Sequence, residues 1–124
     1  MVRCSASLKV LMTHRVLHVL PWISSGGVEQ RRLQILEHLD PDEFTQRIVC
    51  MEHRGAVSER IQRLGIPIDV IPGRWTPFDL DTIASLLAII EEFDPHIIHG
   101  AVFEGVTMAS FAGYLGQVPH VIIE

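Results

Sequence analysis

The sequence predicts an α/β fold in which helices cover both faces of a mainly parallel sheet. Three observations predict it. Segments with helical periodicity alternate with short apolar segments along most of the chain. Those segments are short and mainly apolar, as strands buried on both faces are. The chain has 124 residues, 48% of them hydrophobic, enough to fill one core and too few for two domains.

The elements follow in order. Residues 1–14 are expected to be a tail or an extra edge strand, with "LKVLM" its only strand-like piece. "RVLHVLPW" from Arg15 is the first clear strand, and residues 28–39 form a helix with Val28, Ile35, Leu36 and Leu39 on one stripe. "FTQRIVCM" is the second strand, rich in β-branched and apolar residues. Val57, Ile61 and Leu64 mark a second helix, which Gly65 is placed to end. "IPIDVI" is the third strand. Ile83, Leu86, Leu87 and Ile90 lie on one face of a third helix, capped by Asp79 or Asp81 and closed at Asp94-Pro95. "HIIHG" (96–100), "EGVTMASFAGYLG" (104–116) and "PHVIIE" (119–124) complete the series as strand, helix and strand. Crossover helices between neighbouring strands require parallel pairing. The result is a doubly wound, Rossmann-like three-layer sandwich of five strands in the order 3-2-1-4-5.

Composition excludes several functions. A net charge of −5 and a pI near 5.7 disfavour nucleic acid and anionic membranes as partners. The apolar run near the N-terminus is too short for a signal peptide, and no segment is long enough to span a bilayer, so a cytoplasmic setting is expected. Membrane association is left open but nothing indicates it. Of the two cysteines, Cys50 sits in an apolar strand and reads as a buried small hydrophobe. No His, Cys or carboxylate cluster has metal-ligand spacing, and no Ser or Cys sits in a nucleophile elbow. His96 and His99 are three apart on a strand and face opposite sides. His18, in mid-strand, reads as a hydrogen-bonded core histidine.

In an open parallel sheet, ligands bind beyond the carboxyl ends of the strands where the strand order reverses. With this order, the crevice lies between the first and fourth strands. "SSGG" and "HGAVFEG" converge there, with Glu104 in the second. "EHRG" and "PGRWTP" lie further out on the same rim. Gly26 and Gly27 precede a helix N-terminus, whose free amides and dipole attract an anion. Lacking Cβ atoms, they let backbone touch a phosphate or a sugar hydroxyl, and they permit positive φ. The plain alternative is a tight strand-to-helix turn without a ligand. The pattern is not G-x-G-x-x-G and lacks a ribose-binding acid about 20 residues on, so a nicotinamide cofactor is disfavoured. Arg74 suits a phosphate or carboxylate and Trp75 a sugar face. Their alternatives are a solvated arginine and an indole folded onto the sheet edge. The small residues of the last helix read as close packing on the sheet or on a partner.

"GGVEQ" at a helix start, then "GIPIDVIP", then "DPHIIHG" with a small-residue helix and "VPHVIIE" resemble the N-terminal domain of family 4 glycosyltransferases, over residues 15–124. The resemblance implies a GT-B enzyme of two Rossmann-like domains. Such an enzyme moves a sugar from a nucleotide-sugar donor to a carbohydrate, lipid or small-molecule acceptor with retention, and needs no metal or other cofactor. It implies that Gly26 and Gly27 lie against the donor phosphates, that Glu29 is the acidic position after them, and that His99 closes the fourth strand. On the residues alone, Glu29 also reads as a first-turn acid favouring the helix dipole, and His99 as a structural histidine. Ala101 stands where many relatives have a second histidine. A histidine that often carries catalysis follows the fifth strand in the family, beyond Glu124. A C-terminal nucleotide-sugar domain is expected beyond these residues, so the chain is expected to be inactive by itself. Arg74, Trp75 and Glu104 are the acceptor-side candidates. The alternative function is a free-standing flavodoxin-like binding or scaffold module without catalysis.

Overall fold

The computed structural model describes residues 13–124. The expected tail or edge strand over residues 1–14 lies outside the described residues, except that Thr13 is buried and His14 opens the first strand. Strands β1 (His14–Val19), β3 (Phe44–Cys50), β5 (Ile68–Val70), β6 (Ile97–Gly100) and β7 (His120–Ile123) form one sheet. Two-residue strands β2 (Trp22–Ile23) and β4 (Glu52–His53) form a second. Helices α1 (Gly27–His38), α2 (Gly55–Arg63), α3 (Leu80–Phe93) and α4 (Val102–Leu115) connect them.

The main sheet runs β5-β3-β1-β6-β7 with every pair parallel. In chain order of its members this is 3-2-1-4-5, as the sequence predicts. The order reverses between β1 and β6, which pair from Val16–Ile97 to Val19–Gly100.

Two apolar layers hold the sheet. Leu17, Val19, Val49 and Ile98 pack against Leu86 and Ile90 of α3 and Met108, Ala109 and Ala112 of α4. On the other face, Ile48 and Cys50 pack against Leu33 and Leu36 of α1 and Val57 and Ile61 of α2. Burial pushes the Cys50 thiol up to about 12, which suits a core residue and not a reactive one.

Local sequence explains the helix ends. Asp79 caps α3 by accepting from the Thr82 amide at 3.2 Å, while Asp94 closes it in the left-handed region, φ 52°. Gly65, φ 78°, turns the chain after α2. The buried face of α1 differs from expectation. Arg32, Leu33 and Leu36 are the buried residues, and Val28 is exposed. The helix is rotated so that an arginine, not Val28, points at the sheet.

Candidate functional site

The rim beyond β1 and β3 is stitched together by backbone. Pro21 has no N–H to continue β1, but its carbonyl accepts from the Met51 amide at 2.8 Å. The short β2–β4 ladder then brings Trp22 beside Glu52 and Ile23 beside His53. The Arg54 amide donates to the Ile23 carbonyl at 3.0 Å. "EHRG" is thus tied directly to "SSGG" and is not an outlying loop. Ser24, Ser25, Arg54 and Gly55 line a rim cavity of about 470 Å³. Arg54 was not among the residues singled out from sequence; a two-residue ladder has no periodicity to reveal it.

The glycine loop opens onto this rim. Gly26 is the N-cap of α1 in extended conformation, φ −72° and ψ 172°, and no side chain caps the helix. Neither Gly26 nor Gly27 has positive φ, so the freedom to adopt it is not what these glycines supply. Space is. A Cβ on Gly26 would meet the Glu29 carboxylate, which folds back over it. A Cβ on Gly27 would meet nothing within 4 Å. Among the described residues, no packing therefore requires glycine at residue 27, and no side-chain cap occupies the first turn of α1.

His99 lies under α1. It is paired in register with His18 across the β1–β6 boundary, and the two rings are 5.9 Å apart. Arg32 reaches down from α1, fully buried, and donates to Nδ1 of both rings, at 3.1 Å for His18. Its other terminal nitrogen approaches Glu124 Oε1 at 3.4 Å. His18 Nε2 meets Gln46 Oε1 at 2.9 Å. Burial, then the Arg32 charge, lower the His18 pKa to about 3 and push His99 down as well. Among the described residues, two buried side-chain atoms lack a hydrogen-bond partner, Arg32 Nε and His99 Nε2. The His18 reading from sequence matches this placement. His99 is not a free rim residue: its ring is a buried member of a polar network. Arg32, Gln46 and Glu124 were missed. The signal for Arg32 was its position four residues before Leu36, on the buried face.

Across the reversal point, α4 begins at Ala101, which caps no amide, and Val102 follows with φ 65°. Positive φ in a β-branched residue is a genuine outlier, of a kind that clusters at ligand sites. Glu104 is half-buried in the first turn. Gly100 and Gly105 admit the close approach of α4: a Cβ on Gly105 would lie 2.6 Å from the Val19 carbonyl oxygen.

The loop after β5 gives a correction. Trp75 is 2% exposed, packed in the core with α3, and its indole N–H donates to the Ile71 carbonyl at 2.9 Å. It is a packing residue and presents no face to a sugar. Burying the large ring outweighed any exposed role, since its one polar group finds a backbone partner inside. Arg74 is exposed, with its amide held by Asp79 Oδ2 at 3.1 Å. Among the described residues, no group of three or more His, Cys, Asp or Glu could hold a metal ion, and no helix is long and apolar enough to cross a membrane.

Comparison with known proteins agrees with this fold. Residues 26–124 match the model of the glycosyl transferase 4-like domain. A glycosyltransferase from Rickettsia africae ESF-5 superposes with a TM-score of 0.71 at 18% identity, over 90% of this chain and 29% of that one. Anabaena Alr3699/HepE, solved in complex with UDP, superposes with a TM-score of 0.66 at 15% identity, over 87% of this chain and 28% of that one. The chain therefore spans less than a third of the length of either structure. No curated protein matches it in sequence.

Proposed function

Because the chain belongs to the glycosyl transferase 4-like domain family, we propose that it forms the acceptor-side half of a retaining glycosyltransferase that uses a nucleotide-sugar donor. The observation that carries this reading is the glycine loop: an uncapped helix N-terminus with open space over Gly27, at the point where the strand order reverses. Free amides and the α1 dipole there suit the donor phosphates and the charge that grows on them as the sugar departs. The UDP bound by the Anabaena protein supports a nucleotide donor. In this reading no metal or cofactor is needed. Glu29 flanks the loop, His99 hydrogen-bonds a sugar hydroxyl, and Arg74 and Glu104 contact the acceptor, a carbohydrate, lipid or small molecule. A second, nucleotide-binding domain closes over the rim, in the cytoplasm.

The test is sugar transfer from nucleotide-sugar donors by the chain joined to such a domain, with Gly27→Ala alongside. Transfer that falls at least tenfold in the variant supports the reading. Transfer indifferent to Gly27 would overturn the role of the loop. Ala101 favours a second reading, a scaffold without catalysis, because its buried methyl group puts no chemistry at the head of α4. Nucleotide binding without turnover for any acceptor would support that reading.

A further inference from the structure

The chemistry of Arg32 fixes where the protons of its neighbours sit. A guanidinium stays protonated and has only hydrogens to give. Its Nη1 is shared between Nδ1 of His18 and Nδ1 of His99. Each Nδ1 must therefore offer its lone pair, and the single proton of each neutral ring must sit on Nε2. On the His18 side, this N–H meets its acceptor, Gln46 Oε1. On the His99 side, Nε2 has no hydrogen-bond partner and faces Glu124 Oε2 at 3.6 Å.

Resting on the sugar-transfer reading above, we propose that Arg32 is a positioning residue that locks His99 as an Nε2–H donor, so that His99 gives a hydrogen bond to a substrate hydroxyl and cannot act as a general base. A base needs a free lone pair. The one on Nδ1 is committed to a permanent cation, and Nε2 already carries hydrogen. Protonating Nδ1 would break the Arg32 bond and set two cations together under α1. The groups facing the ring are Arg32 and Arg31 from α1, His18 from β1 and Glu124 after β7. Glu124 alone favours the imidazolium, and burial together with Arg32 outweighs it. Glu124, 30% exposed, lies beside this N–H without accepting from it, and moves aside for a substrate hydroxyl.

Imidazole nitrogen NMR on the histidine-labelled protein tests the lock without any substrate. The expected wild-type result is a His99 ring in the Nε2–H tautomer at pH 8 that takes up a proton only at a pH below that of an ordinary histidine. Arg32→Met should give a mixed tautomer that titrates nearer the ordinary value, and Arg32→Lys, which keeps a donor, should restore much of the wild-type pattern. An Nδ1–H tautomer or an ordinary titration in the wild type overturns the proposal, even if Arg32→Met does not fold. In the active enzyme, His99→Asn keeps an N–H donor and should lower kcat by less than about tenfold, where loss of a base costs roughly 10² to 10⁴. A loss in that larger range sinks the donor role. Failure to find any sugar transfer would strike the functional reading, and the tautomer measurement would still decide the action of Arg32.

Discussion

Gly26 and Gly27 stand side by side and are glycine for different reasons. Glu29 fills the space above Gly26, and no described residue comes within 4 Å of a Cβ placed on Gly27. Gly27→Ala should therefore leave stability unchanged or raise it by about 0.5–1 kcal/mol, since alanine restricts the unfolded chain and favours helix. Urea unfolding measures this, and a clear destabilisation would show that the loop is glycine for folding and not for a ligand. His18 gives a prediction about acid. Its folded pKa, about 3, lies below the unfolded value of 6.5. Between those values, the unfolded chain binds a proton that the folded chain does not, so stability falls as the pH drops from 6.5 towards 3. The slope from this one group is roughly 1 kcal/mol per pH unit. His18→Gln should lose less stability than wild type between pH 7 and pH 4.5. Parallel losses would mean that the buried ring is not the titrating group.

At the scale of elements, α4 shows why its small residues are there. Gly105 meets the Val19 carbonyl, and Gly113 faces Val121 and Ile98 across the sheet. The helix lies so close to the β1–β6–β7 region that backbone limits the approach. Gly105→Ala puts its new Cβ against a carbonyl oxygen that cannot rotate away, and should cost about 1–3 kcal/mol, the range seen on overpacking a core. A fall in Tm checks it, and an unchanged Tm would mean that α4 can slide outward freely. The outer face of α4 carries Phe103 and Tyr114, both largely exposed, so its packing comes from the small-residue face. The helix propensities are readable from sequence, whereas the contact distance that demands glycine is not.

For the whole molecule, the sheet ends at β7, whose Val121, Ile122 and Ile123 are exposed. The proposed chemistry needs a donor held over the rim as well as an acceptor on it. Correct positioning of two reactants supplies about 7–11 kcal/mol of a barrier, and one half of a cleft cannot provide it. The 124-residue chain alone should therefore show no sugar transfer above background in a nucleotide-release assay, and robust turnover would overturn the two-domain reading.

Much of this architecture was legible before any coordinates. Periodicity places each helix to within a few residues, because amphipathic spacing is local. Helices between short apolar strands then require parallel pairing, and the doubly wound pattern supplies the sheet order. The glycine loop and His99 could be assigned to the reversal point for the same reason. What surrounds them could not. Gln46, His18, Arg32, His99 and Glu124 come from β3, β1, α1, β6 and the residue after β7, and they meet only when the sheet is assembled. From sequence, Trp75 reads either as a sugar platform on the rim or as an indole folded onto the sheet edge, and it lies in the core packed with α3. Sequence determined which segments bury a face, since that depends on spacing along the chain. Tertiary structure decided which polar groups share the buried space, since that depends on what lies across the sheet, up to 92 residues away between Arg32 and Glu124.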